Sequence, residues 1–142
     1  MIAKQLCVFI ENRQGRLEEV LDVLKRNGVN ILSLSLADTM EYGLLRLIVS
    51  NPAEGRERLA AEGFSSMLSD VLVIKIPHKS GSLQGLLGML SEGGINVEYM
   101  YALSIEGAAA YVVLKASDMQ KADEIFTEKG VITLSSEDIS RI

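Results

Sequence analysis

The chain carries the same stretch twice. GRLEEVLDVLKRNGVNI occupies residues 15–31, and GSLQGLLGMLSEGGINV occupies residues 81–97. Gly15 and Gly81 are 66 residues apart, and so are Leu17 and Leu83, Leu21 and Leu87, Leu24 and Leu90, Gly28 and Gly94, and Asn30 and Asn96. Chance does not hold one offset over six such pairs. It marks an internal repeat, and a repeat limits the possible folds more than composition does. The 142 residues are therefore expected to form two related units, 1–68 and 69–142. A unit of about 70 residues has a thin core of its own, so the two are expected to share an interface.

Within each unit the apolar spacing switches between two periods. Residues 3–10 are apolar and end in the polar loop Glu11-Asn12-Arg13-Gln14-Gly15, which reads as a strand and a turn. Leu17, Val20, Leu21 and Leu24 then fall at i, i+3, i+4 and i+7, one stripe of a helix. Its acids come early and its bases late, as the helix dipole favours. Gly28 suits a left-handed cap at its end. Residues 29–37 and 44–50 read as strands around a turn at 38–43. Asn51-Pro52 opens a second helix, with Asn as cap and Pro at the first helical position. Residues 64–68 close the unit as a short strand. The order repeats after Ser69-Asp70: a strand at 71–76, the loop Pro77-His78-Lys79-Ser80-Gly81, a helix, strands at 95–105 and 108–115, a helix capped at Ser117, and a strand at 131–135. The tail, 136–142, is polar and is expected to be loosely held. The fold class is α+β: two ferredoxin-like βαββαβ units, each an antiparallel sheet with helices on one face.

Such a sheet should alternate apolar with polar residues. Residues 44–49, 71–74 and 110–114 are instead apolar on both faces. The open face therefore needs a cover, and a homodimer supplies one. Composition excludes several functions. A net charge of −5 lacks the basic face that a nucleic-acid partner needs, and no apolar run reaches the length of a membrane span. The N-terminus reads as a strand, not a signal peptide. The lone Cys7 forms no internal disulfide, which favours a cytoplasmic, structural Cys. No P-loop, Cys–His pair or metal-ligand cluster is present in the sequence, so no enzyme, cofactor or metal is expected.

The pattern loop-x-x-G-x-L, helix, G-[VI]-N-[IV], present in both units, resembles the ACT domain, a small βαββαβ regulatory module that typically binds amino acids. The resemblance covers nearly the whole chain and looks like a stand-alone tandem of such domains without a catalytic domain. It implies a regulatory protein that binds a free amino acid between ACT-type units and signals to a metabolic enzyme or regulator. In the family, ligand sits where the first loop and helix start meet the second strand of a neighbouring unit. Carried over, this marks Asn12, Gln14, Gly15, Arg16, Leu17, Asn30 and Ile31 in the first unit. In the second it marks His78, Ser80, Gly81, Ser82, Leu83, Asn96 and Val97. The family often has Pro before the loop Gly; here that position is Gln14 or Ser80.

Elementary chemistry supports such a site. Helix N-terminal N–H groups are unpaired and suit a carboxylate, and an Asn oxygen or strand carbonyl accepts from an ammonium. Each marked residue also has a plainer reading. Asn30 and Asn96 could simply pin a turn, His78 could be a solvated loop residue, and Arg16 an exposed helix start. Tyr99 and Tyr101 fit packing or an interface. Gly81, Gly85 and Gly88 form a stripe with no counterpart in the first unit, which suits either close approach by a ligand or surface drift. The alternative to amino-acid sensing is a non-catalytic dimerisation or protein-interaction module with no small ligand.

Overall fold

The structure is a computed structural model and describes residues 1–38, 42–106 and 109–141. The expected turn residues Thr39, Met40, Glu41 and Gly107, and Ala108, expected to begin a strand, lie outside the described residues. Two compact units emerge, one built on Lys4–Ser69 and the other on Asp70–Ile139 with Met1–Ala3.

The first unit runs β1 (Ala3–Glu11), α1 (Arg16–Arg26), β2 (Ile31–Asp38), β3 (Tyr42–Val49), α2 (Pro52–Ala61) and then β4 (Ser65–Pro77). The strands lie in the order β2-β3-β1-β4, with β3 antiparallel to both β1 and β2. One face of the sheet packs on the helices. Leu6, Val8 and Ile10 of β1 and Leu45, Leu47 and Val49 of β3 meet Val20, Val23 and Leu24 of α1 and Leu59 of α2. Of the stripe read in the sequence Val20 and Leu24 are buried and Leu17 and Leu21 half-buried, while Val23, outside that stripe, is buried too.

The second unit repeats the plan with α3 (Ser82–Glu92), β5 (Val97–Glu106), β6 (Ala109–Ala116), α4 (Met119–Glu128) and β7 (Ile132–Thr133). Here β6 lies between β4 and β5, and β7 pairs with β4. Leu72, Ile74 and Ile76 of β4 meet Leu86 and Leu90 of α3 and Ala122 and Phe126 of α4.

The structure corrects four sequence expectations. The strands expected at 64–68 and 71–76 are one, because β4 runs unbroken from Ser65 to Pro77. The repeat offset is 66 only as far as Ala102. The β5–β6 register shifts between Ala102 and Ser104, leaving Leu103 as an extra residue that β2 and β3 lack there. Beyond that bulge equivalent residues are 67 apart. The cap of α4 is therefore Asp118, whose carboxylate accepts from Lys121 N–H at 3.0 Å, as Asn51 accepts from Glu54 N–H at 3.2 Å. Ser117 is instead the counterpart of Ser50: its hydroxyl accepts from Asn96 N–H, as that of Ser50 does from Asn30 N–H, each at 3.0 Å.

The last correction concerns the tail. The tail forms α5 (Ser136–Ser140). Ser135 and Asp138 cap it reciprocally, Asp138 N–H donating to Ser135 Oγ at 3.1 Å and Ser135 N–H to Asp138 Oδ2 at 2.9 Å. Ile139 is only 3% exposed. Cys7, Ile48, Val71, Val73 and Val113, which alternate with the core residues of their strands, are buried as well. Among the described residues the one fully buried long polar side chain, Gln5, donates from Nε2 to Ser69 Oγ at 3.0 Å, which meets the hydrogen-bonding need of a buried amide.

Candidate functional site

The loop before α1 is wound by short backbone bonds, Arg13 N–H to Glu11 O at 2.8 Å and Glu19 N–H to Gly15 O at 3.0 Å. Gly15 sits at the helix start with φ of 87°, and Gly81 sits before α3 with φ of 86°. Only glycine takes that left-handed conformation without strain. Neither helix start receives a side-chain cap, whereas α2 and α4 are capped by Asn51 and Asp118. The chain thus closes the starts of α2, α4 and α5 with side chains and leaves the two loop-borne ones without such a cap. Open first-turn N–H groups carry the positive end of the helix dipole.

In the first unit the loop borders a cleft of about 210 Å³ whose walls include Ile10, Glu11, Asn12, Leu17, Leu36 and Asp38. Leu17 brings the first turn of α1 to this cleft, and Asp38 brings the end of β2. Asn12 and Leu17 are the two carried-over residues that line it. Sequence reasoning missed Glu11, Leu36 and Asp38. The signal for Asp38 was its place at the end of the strand that follows the helix, where the hairpin returns it to the loop. Gly15 lines a separate exposed groove with Glu18, Glu19 and Asp22, and Gln14 is exposed.

Arg16 points elsewhere. Its Nη1 donates to Glu19 Oε2 at 2.6 Å, and its guanidinium lies 4.3 Å from the Phe64 ring centroid. The side chain is 18% exposed, so the reading of an exposed helix-start arginine does not describe it.

Asn30 and Ile31 lie at the other end of α1, in a cleft of about 390 Å³ shared with Leu21, Lys25, Gly28 and Val29. Eleven helical residues separate the two clefts, a span of about 16 Å. Within one unit the loop residues and Asn30 therefore do not meet. The backbone of Asn30 is tied on both sides to Ser50, its N–H to Ser50 Oγ at 3.0 Å and its carbonyl accepting from Ser50 N–H at 2.9 Å. Asn96 is tied to Ser117 in the same way. The turn is pinned by backbone and serine, so the exposed Asn30 and Asn96 amides are left over for other contacts.

In the second unit His78 and Ser80 are exposed, as are Leu83 and Asn96, and Val97 is half-buried. Gly81 and Ser82 line a pocket on the β7 side of α3. Among the described residues no cluster of His, Cys, Asp and Glu could hold a metal ion, and no helix is long and apolar enough to cross a membrane.

The family model described as an ACT domain pair matches residues 1–142. The crystal structure of protein BT0572 from Bacteroides thetaiotaomicron is 38% identical, with a TM-score of 0.95 over 100% of this chain and 98% of that one. The regulatory subunit of aspartate kinase from Thermus thermophilus, in its ligand-free form, is 16% identical, with a TM-score of 0.62 over 90% of this chain and 96% of that one. The equivalent subunit from Thermus flavus is also 16% identical, with a TM-score of 0.57 over 89% and 95%. At that identity the kinase subunits share the fold. No functionally curated protein matches the sequence.

Proposed function

The chain belongs to the ACT domain pair family, and on that premise we propose that it is a non-catalytic regulatory protein that binds a free amino acid. The observation that carries the reading is the first-unit cleft. Leu17 of the uncapped first turn of α1 and two acidic residues, Glu11 and Asp38, border one small space, with Arg13 beside them, its Nε 3.1 Å from Glu11 Oε2. A zwitterion suits that combination: its carboxylate faces the helix N-terminus, and its ammonium faces the carboxylates and the Asn12 oxygen. Leu17, Leu36 and Ile10 leave an apolar wall for a side chain. The chain acts as a homodimer in which the second strand of a facing unit brings Asn30 and Ile31 to the loop Asn12, Gln14, Gly15, Arg16 and Leu17. In the second unit, His78, Ser80, Gly81, Ser82 and Leu83 meet Asn96 and Val97 in the same way. The bound state is read by a metabolic enzyme or regulator in the cytoplasm.

A thermal-shift screen against the twenty amino acids tests this. A ligand at a hundred times its dissociation constant adds about 2.7 kcal/mol of stability. One selective shift is the expected result, and no shift with any amino acid would end the proposal.

One observation favours the alternative interaction module. Leu34 and Leu36 are 46% and 50% exposed, yet they pair with the core residues Leu47 and Leu45 and so sit on the helix side of the edge strand β2. An apolar strand edge left open is a docking surface. Loss of self-association on Leu36→Asp, with no amino acid ever detected as ligand, would support that reading.

A further inference from the structure

The cleft at the far end of α1 holds about 390 Å³ and is lined by Leu21, Lys25, Gly28, Val29, Asn30 and Ile31. Only Lys25 and Asn30 bring polar side chains to it. Both residues are exposed, and neither side chain has a hydrogen-bond or ion-pair partner among the described residues. The neighbouring base, Arg26, is engaged: its Nε lies 2.9 Å from Asp22 Oδ2 and its Nη1 3.7 Å from Glu62 Oε1. At the offset of 66 the second unit has Leu87, Gly94, Ile95, Asn96 and Val97, which keep the apolar wall, the turn and the amide, but Ser91 stands in place of Lys25. The two copies differ here by one charge. A base in the last turn suits the helix dipole, yet the helix end does not require one. With the same 11 residues as α1, α3 has no base in its last turn.

We propose that the first-unit site selects an amino acid with an acidic side chain, aspartate or glutamate, and that Lys25 and Asn30 of the facing unit hold the side-chain carboxylate. This rests on the amino-acid reading above, in which the loop of one unit meets Asn30 and Ile31 of another. A carboxylate accepts from the Lys25 ammonium and the Asn30 amide together. A cationic side chain meets a like charge there. An apolar one strips water from an ammonium and an amide without replacing their hydrogen bonds. Leu21, Val29 and Ile31 supply apolar contact for the methylene carbons. The ligand's other charges are met elsewhere. Glu11 and Asp38, which take the ammonium, border the cleft at the opposite end of α1, about 16 Å away, so within one unit they do not neutralise Lys25. Ser91 brings no charge, so the second unit lacks this preference and each chain has one acid-selective site.

Calorimetry of the full chain with glutamate, aspartate, glutamine, asparagine and lysine tests the proposal. One of the two acids is expected to bind about tenfold or more tightly than its own amide, the range of a hydrogen bond to a charged group, and lysine to bind more weakly than either. Lys25→Ser places the second-unit residue at an exposed position. It should remove most of the preference of acid over amide while leaving the unfolding midpoint of the free protein unchanged. Lys25→Glu should reverse the order and favour lysine. A neutral or basic amino acid bound more tightly than both acids, or an acid preference that persists in Lys25→Ser, would overturn the proposal and leave the amino-acid reading in place. No heat from any of the twenty amino acids would overturn both.

Discussion

Gly15 and Gly81 hold the helix starts at φ of 87° and 86°, and a side chain added at either would meet nothing within 4 Å. The demand there is for the conformation, not for space. Gly15→Ala or Gly81→Ala should therefore cost about 1–2 kcal/mol, the strain of a left-handed L-residue. Gly88 has open space and no positive φ, so Gly88→Ala should gain about 0.5–1 kcal/mol of helix stability. Urea unfolding of the three variants reads both signs. The aligned glycines made the loop positions legible in the sequence. The serines that fix Asn30 and Asn96 were not legible, because Ser50 and Ser117 lie |i−j| = 20 and 21 away and become neighbours only when the strands pair. Asp38 was missed for the same reason.

Most elements were legible because their signals are local: a 3.6-residue apolar stripe, an Asn-Pro start, a Gly stop. What failed was register. A bulge at Leu103 adds a residue inside a strand, and no local signal marks it, so the repeat appeared to carry its 66-residue offset through and Ser117 was taken for a cap. Asp118→Ala should destabilise the second unit by about 1 kcal/mol, as loss of a cap does, read as a shift in the unfolding midpoint. The tail was misjudged on composition. It is polar apart from its isoleucines, yet Ser135 and Asp138 have the spacing of a capping box and Ile139 is buried. Ile139→Ala should cost about 2 kcal/mol or more, whereas a loosely held tail would show no change.

For the whole molecule the repeat dictated the architecture, and two ACT-type units follow from it. The case for a dimer gains from the exposed Leu34 and Leu36 of β2. Light scattering at micromolar concentration should give twice the 15.5 kDa chain mass, and Leu36→Asp should return the monomer. The central claim, that the pair senses a free amino acid through its loops, is tested most directly by calorimetry of the full chain with the amino acid selected in the thermal screen, beside Asn12→Ala and Asn30→Ala. The account predicts saturable binding, weakened at least tenfold by either change with the fold intact. Binding unaffected by both, or no heat from any amino acid, would contradict it.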